Sequence, residues 1–167
     1  AIDLPGLTYV DNPEYTDTGE LKSLDRALQA EPDDSRDLFI SFGDVIFKRY
    51  VLDLLTEQAD DFVIAADTEW KDSANRGRAT DYVRCSEPHS RNNFYSRIIL
   101  EQAAEDIPEN KIHGEWMGLL LVRAAALPRF RQMVDKMAAA SKYRQAKLHH
   151  LLSELVRGGE QIRVVYT

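Results

Sequence analysis

Thirty residues, LFISFGDVIFKRYVLDLLTEQADDFVIAAD from Leu38 to Asp67, constrain the fold more than any other part of the chain. LFISF and DFVIAAD are short apolar runs of the kind that form buried strands. VIFKRYVLDLLTEQA between them carries apolar residues at helical spacing. Strand, helix and strand in so few residues predict a βαβ unit, hence parallel strands and a right-handed crossover. The first run stops at Gly43-Asp44. A carboxylate at that junction is either the N-cap of the helix starting near Val45 or a ligand. In open α/β sheets, ligands sit beyond the carboxyl ends of parallel strands. The spacing leaves both readings open.

The remaining text extends the same pattern. LTYV at 7–10 is rich in strand formers and leads into the turn-forming Asp11-Asn12-Pro13. From Glu20 to Ala30, Leu21, Leu24, Ala27 and Leu28 share one helical face, and EPDDS ends that helix. DSANRGRA reads as a polar loop and TDYVRCSE as a strand, while FYSRIILEQAAEDI fits strand and helix equally. EWMGLLLVRA reads as a strand whose internal glycine marks close approach of a ligand or another backbone. Two helices are expected near 125–140 and 143–157, the second closed by Gly158-Gly159, and QIRVVY forms a last strand. Without repeats, low-complexity tracts or a long linker, residues 1–167 read as one domain.

Composition narrows the partners. A chain of 167 residues, 44% hydrophobic and 29% charged, suits one domain with a real core. Its net charge of -7 argues against nucleic acid and anionic membranes, which demand clustered cations, but leaves room for a small anionic substrate held by local arginines. Cys85 stands alone, so no internal disulfide forms, no cysteine–histidine set suggests zinc, and a reducing cytoplasm is the default. Cys85 itself reads as a buried small hydrophobe. No apolar run reaches the roughly 18–20 residues of a membrane helix, and no charged-then-apolar leader opens the chain. The chain starts without Met and begins and stops near strand-like text, which suggests a piece of a longer polypeptide.

Asn12-Pro13 followed by YTDTGELKSLDRA, then LFISFGDVIFKRYVLDLL, FVIAAD and GEWMGLLLV, together resemble the nucleotidyltransferase family with the NTP-transferase fold. The match is to its cytidylyltransferase branch, which includes choline-phosphate and phosphonate enzymes, the latter often fused to phosphoenolpyruvate mutase or an aminotransferase. It runs from Thr8 to Val165. The resemblance implies a Rossmann-like, three-layer, mostly parallel sheet flanked by helices, of the nucleotide-diphospho-sugar transferase type. It also implies a reaction in which CMP passes from CTP to a small phosphonate or phosphomonoester, with release of pyrophosphate. By the same carry-over Asp44 is the catalytic ligand of Mg²⁺, which neutralises phosphate charge during attack on the α-phosphorus. Asn12, Ser23 and Gly43 approach the nucleotide, and Glu115 and Gly118 of GEWMGLL face the acceptor, where an acidic group suits an amine or hydroxyl.

Asp67, at the end of FVIAAD, is placed to line the same cleft, and Arg76 and Arg78 are suited to the acceptor's anionic head. Each has a simpler reading: Asn12 as a turn residue, Ser23 as a helix-surface hydroxyl, Glu115 as a strand-end carboxylate paired with arginine, and the loop arginines as solvated. Trp116 points to the opposite face and belongs to the core. His149-His150 covers the surface of its helix, and His113 and Met117 pack.

Three departures qualify the resemblance. Cytidylyltransferases often carry Asn where this chain has Gly19-Glu20, which leaves the base open. The family's Gly-rich triphosphate loop and second acidic metal ligand have no counterpart here, so the domain is expected to be incomplete, inactive alone, and to bare apolar edges at LTYV and LFISF. A fused domain and a homodimer are the expected partner arrangements. A sugar-1-phosphate nucleotidyltransferase and a non-catalytic domain stand as alternatives.

Overall fold

A computed structural model describes residues 5–72, 80–93 and 96–167. Its elements are α1 (Glu20–Ala30), β1 (Leu38–Ser41), α2 (Arg49–Thr56), β2 (Phe62–Asp67), β3 (Tyr82–Cys85), β4 (Leu100–Ala104), β5 (Gly114–Val122), α3 (Leu127–Ala138), α4 (Leu148–Arg157) and β6 (Ile162–Tyr166). Helix α1 has the limits its apolar spacing predicts: Leu21 and Leu28 bury one stripe, and the chain leaves the helix at Glu31, before Pro32. Arg131 of α3 then fixes that end, donating to the carbonyls of Leu28 and Glu31, each at 2.6 Å, and to Asp34.

The six strands run in the order β4-β3-β5-β2-β6, with β1 also bonded to β5. β5 is the spine. On one edge it pairs with β3 at Gly114 and Glu115 and with β1 from Leu119 to Val122. On the other edge it pairs with β2. β1, β2, β3 and β6 point one way, while β4 and β5 run against them. The sheet is therefore mixed. β1 and β2 are parallel, as the βαβ reading requires, but β5 lies between them and is antiparallel to both.

β2 alternates between two buried faces. Phe62 and Ile64 join Phe130 of α3, Leu151 of α4 and Leu21 of α1 on one side. Val63 and Ala65 meet Val51 and Leu55 of α2 on the other. The sheet thus forms the middle of three layers, with the larger core under α1, α3 and α4.

Two expectations need correction, and one open segment is decided. Residues 7–10 form no strand: they are irregular and exposed, because no described strand lies beside them to complete a ladder. Helix α2 begins at Arg49 rather than near Val45. Phe47 instead packs on Phe39 with ring centroids 6.1 Å apart, and Ile46 is 99% exposed. The ambiguous segment at 94–107 supplies β4, since β3 offers it a paired edge. No described helix is long and apolar enough to cross a membrane.

Candidate functional site

Because β1, β2 and β6 point the same way, their carboxyl ends meet at one edge of the sheet, beside the amino end of β5. That edge gathers Asp67, Glu115 and Tyr82 into a row, each opposite the next on neighbouring strands and hence on one face. Asp67 is fixed by a turn in which its carboxylate accepts the Glu69 N–H at 2.8 Å. Glu115 is half-buried, with no arginine partner among the described residues. Burial, and then the charges of Asp67 and Asp81, push its carboxyl above the ordinary carboxylate range. Trp70 stands edge-on to Tyr82, centroids 5.1 Å apart. Converging carboxylates beside aromatic rings favour a cationic or hydrogen-bond-donating group.

Across the sheet edge, α1 and β1 enclose a cavity of about 640 Å³ lined by Ser23, Leu24, Phe42, Gly43 and Arg131 among others. Its wall includes β1, whose second edge pairs with no described strand. Asn12 and Ser23 come together here: the Asn12 amide donates to Ser23 Oγ at 3.1 Å and to Thr18 Oγ1 at 3.0 Å, while Asn12 Oδ1 accepts the Glu14 N–H at 3.1 Å. Asn12 is thus both a turn residue and the anchor of Ser23. Open space surrounds Gly43, where an added Cβ would meet nothing within 4 Å.

Asp44 is not a helix cap. Lys48 occupies the N-cap of α2, and Asp44 is exposed in the preceding turn without a hydrogen bond or ion pair among the described residues. Gly118, expected at the acceptor, instead packs beneath that turn. Its φ is +71°, a Cβ there would lie 2.2 Å from the Phe42 ring, and its carbonyl accepts the Phe42 N–H at 3.1 Å. Trp116 is core, as its strand position predicts, with Nε1 donating to the Leu119 carbonyl at 2.9 Å. Arg76 and Arg78 lie outside the described residues.

Gly19-Glu20 has a structural explanation. A Cβ on Gly19 would stand 2.3 Å from the Ala146 carbonyl oxygen, and the Glu20 carboxylate accepts the Leu148 N–H at 3.0 Å, capping α4. His149, read as a surface residue, is buried with Nδ1 2.7 Å from Asp81 Oδ1. Its spacing of three from Leu152, inside the buried stripe, was the available signal. Cys85 is buried, its thiol pushed up to about 11 chiefly by burial, which leaves it inert at neutral pH.

The inositol-1-phosphate CTP transferase from T. maritima superposes with a TM-score of 0.65 at 14% identity, covering 93% of this chain and 54% of that one. The chain shares the fold of the part of that transferase it covers. A nucleoside-diphosphate-sugar pyrophosphorylase from Vibrio cholerae RC9 matches at TM-score 0.51 and 14% identity, over 89% of this chain and 57% of its own. A protein assigned as a glucose-1-phosphate thymidylyltransferase from Bacillus anthracis, in complex with sucrose, matches at TM-score 0.59 and 10% identity, over 95% and 55%. The chain therefore spans a little over half the length of the structures it matches. No protein-family model and no curated protein sequence matches it.

Proposed function

We propose that these residues form part of a nucleotidyltransferase that joins a nucleoside monophosphate to a small phosphorylated or phosphonylated acceptor and releases pyrophosphate. The observation that carries the reading is Asp44: a carboxylate beyond the carboxyl end of β1, in a chain with this fold, committed to no cap or ion pair among the described residues. Mg²⁺ takes one or two carboxylates together with phosphate oxygens and waters, so an exposed, unengaged Asp44 fits it as a ligand. When bound, Mg²⁺ would neutralise charge on the nucleotide phosphates.

The protein's own groups have separate tasks. Ser23, held by Asn12, and the open backbone at Gly43 line the nucleotide side. Asp67, Glu115 and Tyr82 orient the acceptor, whose phosphate or phosphonate oxygen attacks the α-phosphorus as the bond to pyrophosphate breaks. The carboxylate row suits an acceptor with an amine or hydroxyl. CTP is the nucleotide that the family resemblance implies, although Gly19-Glu20 leaves the base open, and the single cysteine makes a reducing cytoplasm the default. A sugar-1-phosphate acceptor is the second reading, favoured by the sugar-nucleotide enzymes named among the structures that share the fold.

The test is pyrophosphate release by the natural full-length polypeptide with Mg²⁺, each NTP, and a panel of aminoethylphosphonate, hydroxyethylphosphonate, phosphocholine and sugar-1-phosphates. CTP-dependent turnover lost in Asp44→Ala, with folding unchanged, supports the cytidylyl reading. Turnover with another NTP and a sugar phosphate selects the second. Activity that survives Asp44→Ala removes Asp44 from the chemistry, and silence across the panel favours a domain that binds without catalysing.

A further inference from the structure

Behind the carboxylate row, on the side of the sheet covered by α4, three ligand-bearing side chains converge from separate elements. Asp81 precedes β3, Glu105 follows β4, and His149 is the second residue of α4. One donor atom from each lies within 4.8 Å of the others. His149 is only 5% exposed, and its Nδ1 stands 2.7 Å from Asp81 Oδ1, the spacing of two atoms that share a proton. A cation already answers this field. Lys147 pairs with Glu105, and its ammonium pKa is pushed up by Glu105 first and by Asp81 and Glu20 beyond it, against the opposing effect of burial. A cavity of about 810 Å³, lined by Glu105, Lys147, His149, His150 and Ser153 among others, gives ions and water access.

We propose that Asp81, Glu105 and His149 bind a divalent transition metal ion, with Zn²⁺ the best match, and so clamp the β3–β4 hairpin to α4. One imidazole and two carboxylates suit Zn²⁺, which accepts mixed nitrogen and oxygen donors at about 2.0–2.2 Å, better than Mg²⁺, which prefers oxygen and octahedral geometry. Such bond lengths put neighbouring donors roughly 3.3 Å apart. The Asp81–His149 hydrogen bond therefore opens, and the exposed Glu105 carboxylate moves inward and releases Lys147. His149 binds through Nδ1 in the tautomer that carries its proton on Nε2. His150 stacks on His149 with centroids 4.0 Å apart and accepts the Lys147 N–H, which holds the ligand ring in place.

The experiment is calorimetric titration of ZnCl₂ into the untagged, chelator-treated natural polypeptide, in excess Mg²⁺ so that oxygen-only sites are filled, with the thermal midpoint read in parallel. One Zn²⁺ per chain and a raised midpoint are expected. Glu105→Gln, at an exposed position, should weaken binding at least ~10-fold without unfolding the protein, and His149→Gln should abolish it. Lys147→Met should tighten binding, because it removes the competing cation. That gain is readable even where His149→Gln fails to fold. Absence of Zn²⁺ binding, or binding indifferent to both Glu105→Gln and Lys147→Met, overturns the proposal.

Discussion

The two faces of the sheet are built to different standards. Beneath α1, α3 and α4 the core is continuous, and Phe62, Phe130, Val134 and Leu152 are fully excluded from solvent. On the α2 side six of the described residues form the buried cluster, and Ile46 before α2 and Tyr50 within it are exposed. The candidate site straddles this divide. Asp67, Glu115 and Tyr82 stand on paired strands, whereas Gly43 and Asp44 sit on a turn beside the free edge of β1. The carboxylate row is preorganised by the sheet, whereas Gly43 and Asp44 depend on a turn at its edge.

The contrast can be broken most sharply in the core. Phe130→Ala should cost about 3–5 kcal/mol in denaturant unfolding. Phe47→Ala, at a half-buried ring on the thin side, should cost about 1 kcal/mol. Comparable losses would show the two faces to be equally packed. Next, Gly118→Ala should cost about 3 kcal/mol, because its new methyl meets Phe42 and its φ of +71° disfavours a side chain. Wild-type stability in that variant would mean that the 42–44 turn is not fixed by the sheet. Arg123 links the faces by donating to Asp37 and to the Thr56 carbonyl, both at 2.7 Å, and to the Gln58 carbonyl. Arg123→Ala should therefore lower stability by about 2 kcal/mol and increase amide exchange across α2.

Glu115 tests the site half. With its folded pKa raised above the ordinary 4.5, the folded state holds this proton more tightly than the unfolded one, so its contribution is full below 4.5 and falls as pH rises through the raised value. Glu115→Gln should raise the thermal midpoint by a degree or two at neutral pH and leave it unchanged well below pH 4.5, while impairing acceptor turnover. An equal effect at both pH values would detach the gain from this carboxyl. The smallest effect is expected at Ile46, where Ile46→Ser should change stability by less than ~0.5 kcal/mol and reduce self-association at high concentration, measured by light scattering.

The sequence was most readable where local pattern and tertiary need agree. The limits of α1 follow from its apolar stripe and Pro32, and β2 and β6 from apolar runs that are buried in the sheet. It was least readable where a distant partner decides. Residues 7–10 have strand composition but no neighbouring strand, and 94–107 becomes β4 only because β3 lies alongside. Position beyond a strand end singles out Asp44 and Asp67 as candidates, yet no local pattern reveals that Asn12 holds Ser23 or that Asp81 meets His149 across 68 residues. Gly118 was legible as a close-approach glycine, but the approaching group is Phe42.

Gly19 couples two distant parts of the chain in a way that restricts sequence change. Any side chain there strikes the backbone of Gln145 and Ala146, and that segment leads directly into the helix end capped by Glu20. An asparagine at this point is therefore out of reach by a single substitution. The 145–146 segment would have to shift first, so the order in which mutations arise, and not only their individual merit, governs how this wall of the cavity can diversify.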